Sequence, residues 1–486
     1  MSGSFQLRWH LLLCCLSWCF IGCNPVSPEK AELDDLRSRV SRIQPEVEKI
    51  RGLYFVRPVH VAAITREAYT NNVAQNISGS LTDVEDGALA KEYAQMGLLS
   101  ETDTPLTTIL SDFYSSFPAA FYRTGTDSLY LIPNTERNEL QLDGIIAHEL
   151  THALQDQNFP MWPTIFPEYS HYNSDAETAR RALIEGDALF TEVTYAYSAY
   201  YAGHPIAPYD SAREVVNDYR TDLLIGSYQA DTPVFLDIKS VAPYFLGASY
   251  VAELYHLSDN WDRINGSYTI SSVPRSTASV NYGKPVPVVY FNFYDIHRLL
   301  VAEPGTIEFA DDDNAGFGLL LGLFYHDQPE GIGRSLEWCG DRYTFVKRSG
   351  QPYGTLVWAL AFTTPQGART MFHHFFRKIA GRQLGGQTTE VDSVADSTGI
   401  AISYTFTSSV VSTTLQLADN QLWWLENTGS LTGQVLDILQ HQQTISAVAK
   451  TSTAPAVPLT LSSEVKNETV SRLLEYLMCS GKAAQR

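Results

Sequence analysis

From residue 33 onward, apolar side chains recur every three or four positions, at Leu33, Leu36, Val40, Ile43 and Val47. That spacing predicts a helix running from a Ser27-Pro28 cap to about Arg51. A β-rich run from Val59 to Ile64 predicts a strand, and a helical stretch is expected from about Arg66 to Met96. Residues Ala120 to Ile132 read as a hairpin with its turn at Thr124 to Asp127. Helices follow over Leu140–Gln157, from a Ser174-Asp175 cap to about Tyr201, and over Val241–His256.

The apolar run Ala315–Tyr325 is too short to cross a bilayer and reads as a buried helix. From about Gly331 the texture changes: strands at Tyr343–Lys347 and Gly354–Phe362, then a helix at Pro365–Ile379. Further strands are expected near Ile400–Phe406, Val410–Leu417 and Gln421–Leu425, the last two joined by an Asp419-Asn420 turn. The chain therefore reads as α+β, with a larger unit over 51–320 and a smaller α+β C-terminal domain over 330–486. The boundary is placed near 310–335, and no internal repeat is evident. The acidic stretch Asp311-Asp312-Asp313-Asn314 resembles a calcium loop only superficially, because alternate ligand positions fail and no Glu closes it.

The N-terminus has a different character. Residues 11–21 form one apolar run preceded by Arg8, too short for a standard spanning helix and suited to a signal peptide. It ends in Phe20-Ile21-Gly22-Cys23, which resembles a bacterial lipobox, so residues 1–23 are expected to be a leader and Cys23 the lipidated residue. A plain secretory signal is the alternative; either way the mature chain is expected outside the cytoplasm, and lipidation would anchor it to the cell envelope. Residues 24–50 then form a tether and the first helix. Of six cysteines only Cys339 and Cys479 lie in the body, where export would permit a disulfide. A net charge of −20 over 486 residues argues against a nucleic-acid surface, which needs clustered Lys and Arg.

The chemistry concentrates in His148-Glu149-Leu150-Thr151-His152. Residues four apart share one helix face, so His148 and His152 can grip one metal ion. Glu149 points about 100° away from His148 and is placed for a bound water rather than the ion. Two imidazoles plus a carboxylate suit Zn²⁺ and leave a position open for that water. Glu177, Glu185 and Glu192 are available downstream as third ligands. Glu185 is preferred because Ala182-Leu183-Ile184 and Ala188 flank it, and a buried carboxylate needs a partner. Glu192, on the same face, or Asp187 is then expected to hydrogen-bond a ligand histidine. Glu177 reads instead as a solvated carboxylate in a first helical turn. His256, His171, His204, His297, His326 and the His373-His374 pair read as structural, with donation of a hydrogen bond to a developing oxyanion as the alternative for His256.

The segment His148–Asp156 is similar to the zinc helix of thermolysin-like metallopeptidases, the gluzincins. Leu183–Leu189 resembles the third-ligand helix of their aminopeptidase N-type relatives. Pro243-Tyr244-Phe245-Leu246-Gly247 resembles the Pro-Tyr-x-x-Gly segment of those aminopeptidases, which implies that Tyr244 stabilises the tetrahedral oxyanion. The chain also resembles a set of poorly characterised bacterial exported proteins with the same order of elements. These resemblances cover roughly residues 50–300 and imply a zincin-like catalytic domain with a small mixed sheet, Glu149 as general base, and a peptide or protein substrate. Ser128–Pro133 lacks the Gly-x-Met-Glu-Asn segment that holds a free α-amine, and a longer loop, 159–173, separates His152 from Glu185. A non-catalytic scaffold lipoprotein and a zinc hydrolase with a non-peptide substrate are the competing readings.

Overall fold

The computed structural model describes residues 30–447, apart from 79–80, 101–103, 116–119, 125, 133–138, 162–172, 201–232, 282–286, 325–336, 382–389, 396–400, 408–410 and 442–444. The expected leader with Cys23, the tether to residue 28, Cys479, His171, His204 and His326 lie outside the described residues. Cys339 is buried, and the pairing with Cys479 that export would permit falls outside them too.

Helix α1, Lys30–Arg51, buries Leu36, Val40, Ile43, Val47 and Ile50 and ends at Gly52, whose φ of 69° is a left-handed conformation that favours glycine. Strand β1 is His60–Ala63. The single helix expected over 66–96 is two helices, α2 at Arg66–Ser78 and α3 at Asp83–Gln95. The break has a local cause: the Glu85 carboxylate accepts the Thr82 backbone N–H at 2.9 Å, which caps a new helix start. Helix α4, Leu106–Ser115, was not apparent from the spacing; Asp86 of α3 accepts its first backbone N–H groups, from Leu106 at 3.1 Å and Thr107 at 2.7 Å. The hairpin is β2, Ala120–Arg123, and β3, Ser128–Leu131. It joins β1 in a three-stranded mixed sheet ordered β1-β3-β2, with β1 parallel to β3, so β2 is an edge strand.

Helices α5, Glu139–Asn158, and α6, Ser174–Tyr200, follow, then α7, Val234–Ser258, which starts seven residues before the expected helix. Asp143 of α5 holds two arginines of α1, Arg39 at 3.1 Å and Arg42 at 2.7 Å. Short elements continue with α8 (Asp262–Ser267), α9 (Thr277–Asn281), β4 (Val288–Tyr290) and α10 (Tyr294–Ala302). The apolar run at 315–325 is helix α11, Gly316–Phe324, buried as expected. No helix among the described residues is long and apolar enough to cross a membrane.

The C-terminal part is built on a seven-stranded antiparallel sheet ordered β5-β6-β7-β11-β10-β9-β8. Its strands are Ile307–Asp313, Trp338–Arg348, Thr355–Phe362, Glu390–Ala395, Ala401–Thr407, Ser412–Ala418 and Gln421–Glu426, numbered β5 to β11 in chain order. Helix α12, Pro365–Gly381, and helix α13, Thr432–His441, complete it, with a short β12, Ile445–Ala447, paired to β4. Both faces of β7 are covered: Leu356, Trp358, Leu360 and Phe362 enter one core with Phe372 and Phe375 of α12, while Val357, Ala359 and Ala361 enter another with Ile296 and Val435. The first of these cores also takes in Val73 of α2, Phe245 of α7 and Phe324 of α11, so apolar packing is continuous from the helical part into the sheet.

Glu92 of α3 is fully buried at that seam beside Asp311 of β5. Among the described residues its carboxylate oxygens have no full hydrogen-bond partner, although Tyr343 and Asp311 lie against it; the Tyr343 hydroxyl donates to Asp311 at 2.8 Å. Burial, then the charge of Asp311, pushes Glu92 well above the ordinary carboxylate range; burial and Asp313 push Asp311 up to about 7. The folded protein therefore retains protons at pH values where the unfolded chain has lost them. This contribution is complete below the unfolded carboxylate pKa of about 4 and declines as pH rises through about 7. The midpoint of urea unfolding is expected to fall between pH 5 and pH 8, and Asp311→Asn is expected to flatten that slope. An unchanged slope in the variant would contradict the assignment.

Candidate metal centre

The centre is assembled where α5, α6 and α7 meet. On α5, Ile146, Ala147, Leu150, Ala153 and Leu154 are fully buried and turn the helix so that His148 and His152 face α6. Helices α6 and α7 approach most closely at Gly186 and Gly247. A Cβ on Gly247 would run into the carbonyl oxygen of Ala182, and one on Gly186 into the backbone of Gly247. Each glycine thus serves contact rather than flexibility. The crossing places Glu185, the residue before Gly186, beside Tyr244, three residues before Gly247.

Among the described residues, His148, His152 and Glu185 form a group that could hold a metal ion, with ligand atoms all within 4.8 Å of one another. Glu185 Oε2 lies 3.3 Å from His148 Nε2 and 3.4 Å from His152 Nε2. Two ligands each about 2.0–2.1 Å from a tetrahedral ion stand about 3.3 Å apart, so both imidazole–carboxylate spacings suit Zn²⁺. The remaining ring nitrogens are engaged elsewhere. His148 Nδ1 faces Glu192 Oε2 at 3.1 Å, and His152 Nδ1 faces Gln155 Oε1 at 2.9 Å. Burial alone would raise Glu185, but the charges and hydrogen bonds of the two imidazoles outweigh it and hold its carboxyl far below the usual range. The same contacts overcome burial at His148 and His152 and raise both imidazoles.

Glu149 stands beside this triad, not within it. Its Oε2 accepts the backbone N–H of Tyr122 on edge strand β2 at 2.6 Å. Burial pushes its carboxyl above the ordinary range, against the opposing influence of His152 and His148. The Tyr244 ring lies nearly parallel to that of His148, with centroids 5.9 Å apart. Burial, followed by the charges of Glu185 and Glu149, keeps its hydroxyl firmly protonated. Tyr244 is thus a donor placed among acceptors.

Several expected positions fall elsewhere. Asp187 does not support a ligand histidine: its carboxylate is bonded to Arg51 at 2.7 and 3.0 Å and to the Tyr268 hydroxyl at 2.8 Å. Two residues beyond Glu185 is about 200° round the helix, which aims Asp187 away from α5. Glu177 is not solvated. It is buried and paired with Arg181 at 3.1 Å, because the first turn of α6 is covered by the rest of the molecule. His256 is exposed in the last turn of α7, about 18 Å along the helix from Tyr244. His297 faces Thr344 at 3.2 Å, His373 is exposed, and His374 is buried against Phe324. Two neighbours of the centre had no distinctive sequence signal, Gln155 and the Tyr122 backbone; only burial and packing reveal them.

No family model matches the chain, and no curated protein matches it. A solved structure from Chloroflexus aurantiacus, described as a candidate hydrolase with a novel fold, is similar over 56% of this chain and 93% of its own. The identity is 16% and the TM-score 0.33.

Proposed function

We propose that the chain is a zinc-dependent hydrolase of peptide bonds, with its helical part serving as a zincin-like catalytic unit, exported and anchored to the envelope through Cys23. The observation that carries the reading is the convergence of His148 Nε2 and His152 Nε2 on one oxygen of Glu185, with Glu149 adjacent and outside that set. When bound, zinc would lower the pKa of a coordinated water towards neutrality and polarise a substrate carbonyl. His148, His152 and Glu185 would hold it. Glu149 takes the proton from the attacking water and returns it to the leaving amine, a task suited to a carboxylate whose proton affinity burial has raised. The Tyr122 amide keeps that carboxylate facing the centre. Tyr244, held protonated, donates to the oxyanion that develops on the substrate.

The test is cleavage of casein and a mixed peptide library by protein stripped with a chelator and then titrated with zinc. Activity is expected to vanish on stripping and to return with about one equivalent of zinc per chain. Cleavage that survives stripping would overturn the metal mechanism. A zinc-loaded protein that leaves every peptide intact would overturn the peptide-bond assignment.

A further inference from the structure

We infer that Gln155 is a positioning residue that sets the proton on His152 and ties that ligand to the helix carrying Glu185, an inference that rests on the metal reading of this centre. The side chain is 1% exposed. Its Nε2–H donates to the Ile184 carbonyl at 2.9 Å, and its Oε1 faces His152 Nδ1 at 2.9 Å. A backbone carbonyl only accepts, so it decides which end of the amide is which. Oε1 is then the end against the imidazole, and Nδ1 carries the hydrogen. Nε2 faces Glu185, 3.4 Å away, and with an ion bound between them its lone pair would be directed at that ion. Because Ile184 immediately precedes Glu185, one buried amide fixes the orientation of His152 and the backbone at the third ligand together.

The two histidines have unequal supports. His148 Nδ1 faces a carboxylate, Glu192, whereas His152 Nδ1 faces a neutral amide. An anionic partner makes an imidazole more basic; an amide orients it and adds no charge. A carboxylate at 155 would have no hydrogen for the Ile184 carbonyl. It would also add negative charge to a centre that already holds Glu149, Glu185 and Glu192.

The test reads the Nδ1 proton in the zinc-loaded parent protein, where Nε2 would face the ion. Nitrogen NMR is expected to show a His152 Nδ1–H protected from exchange with water. Gln155→Met keeps the volume and removes both bonds; it is expected to expose that proton to exchange and to weaken zinc binding by roughly 10- to 100-fold. Gln155→Glu retains an acceptor for Nδ1–H, so the protection is expected to persist in it. A parent Nδ1–H that exchanges freely, or loss of protection in Gln155→Glu, would overturn the assignment. So would a folded Gln155→Met protein with the parent protection and the parent zinc affinity. Exchange and affinity are read without substrate, so they fail or hold separately from the proposed hydrolysis.

Discussion

Glu149→Gln is expected to leave zinc binding and the fold in place while lowering the turnover of peptides by roughly 10³-fold, about 4 kcal/mol in the barrier. The basis is positional. Glu149 is not one of the three converging ligands, and glutamine can still accept the Tyr122 N–H that its oxygen accepts at 2.6 Å. What glutamine lacks is any affinity for the proton of the attacking water. The loss should therefore appear in kcat, with zinc content measured on the same preparation unchanged. A variant that keeps its zinc and retains most of its activity would remove the base from the mechanism. A variant that loses zinc would show instead that Glu149 belongs to the metal shell.

The second large effect concerns stability. Asp187 and Arg51 are both completely buried, joined by two hydrogen bonds, with the guanidinium 4.2 Å over the Trp261 ring and Tyr268 completing the carboxylate. Removing one member strands the other charge in a low-dielectric interior, where a broken buried pair costs about 3–5 kcal/mol. Asp187→Ala is expected to destabilise the protein by about that amount in urea unfolding, through loss of the joint between α1 and α6. Arg51→Met with Asp187→Leu should recover most of the loss, because an apolar pair carries no desolvation penalty. A near-neutral Asp187→Ala would mean that water reaches the pair.

Much of the centre was legible in the sequence because helix geometry is rigid. Residues i and i+4 share a face, so His148 and His152 could be paired by spacing alone, and apolar flanks singled out Glu185. The same arithmetic separates Glu192, seven residues on and back beside Glu185, from Asp187, which points to the opposite side. Contacts between helices were not legible. Gln155 looks like an ordinary polar residue until its amide is seen between His152 and the Ile184 carbonyl. The break at residue 82 did carry a signal, Thr82 followed by Glu85, but an otherwise helical composition obscured it. Strand β5 escaped for a different reason. Its Asp311 and Asp313 resemble a polar loop, yet both are buried, and Asp313 is satisfied by Ser174 across the chain, through its backbone N–H at 2.8 Å and its hydroxyl at 2.5 Å. Tertiary partners overrode local polarity there.

The most direct test of the central claim is the zinc content of the purified protein by native mass spectrometry, beside Glu185→Ala and His152→Ala. The account predicts one tightly held zinc ion per parent chain and strongly reduced occupancy in both variants. A parent protein that takes up no zinc, or variants that bind it as tightly as the parent, would contradict it.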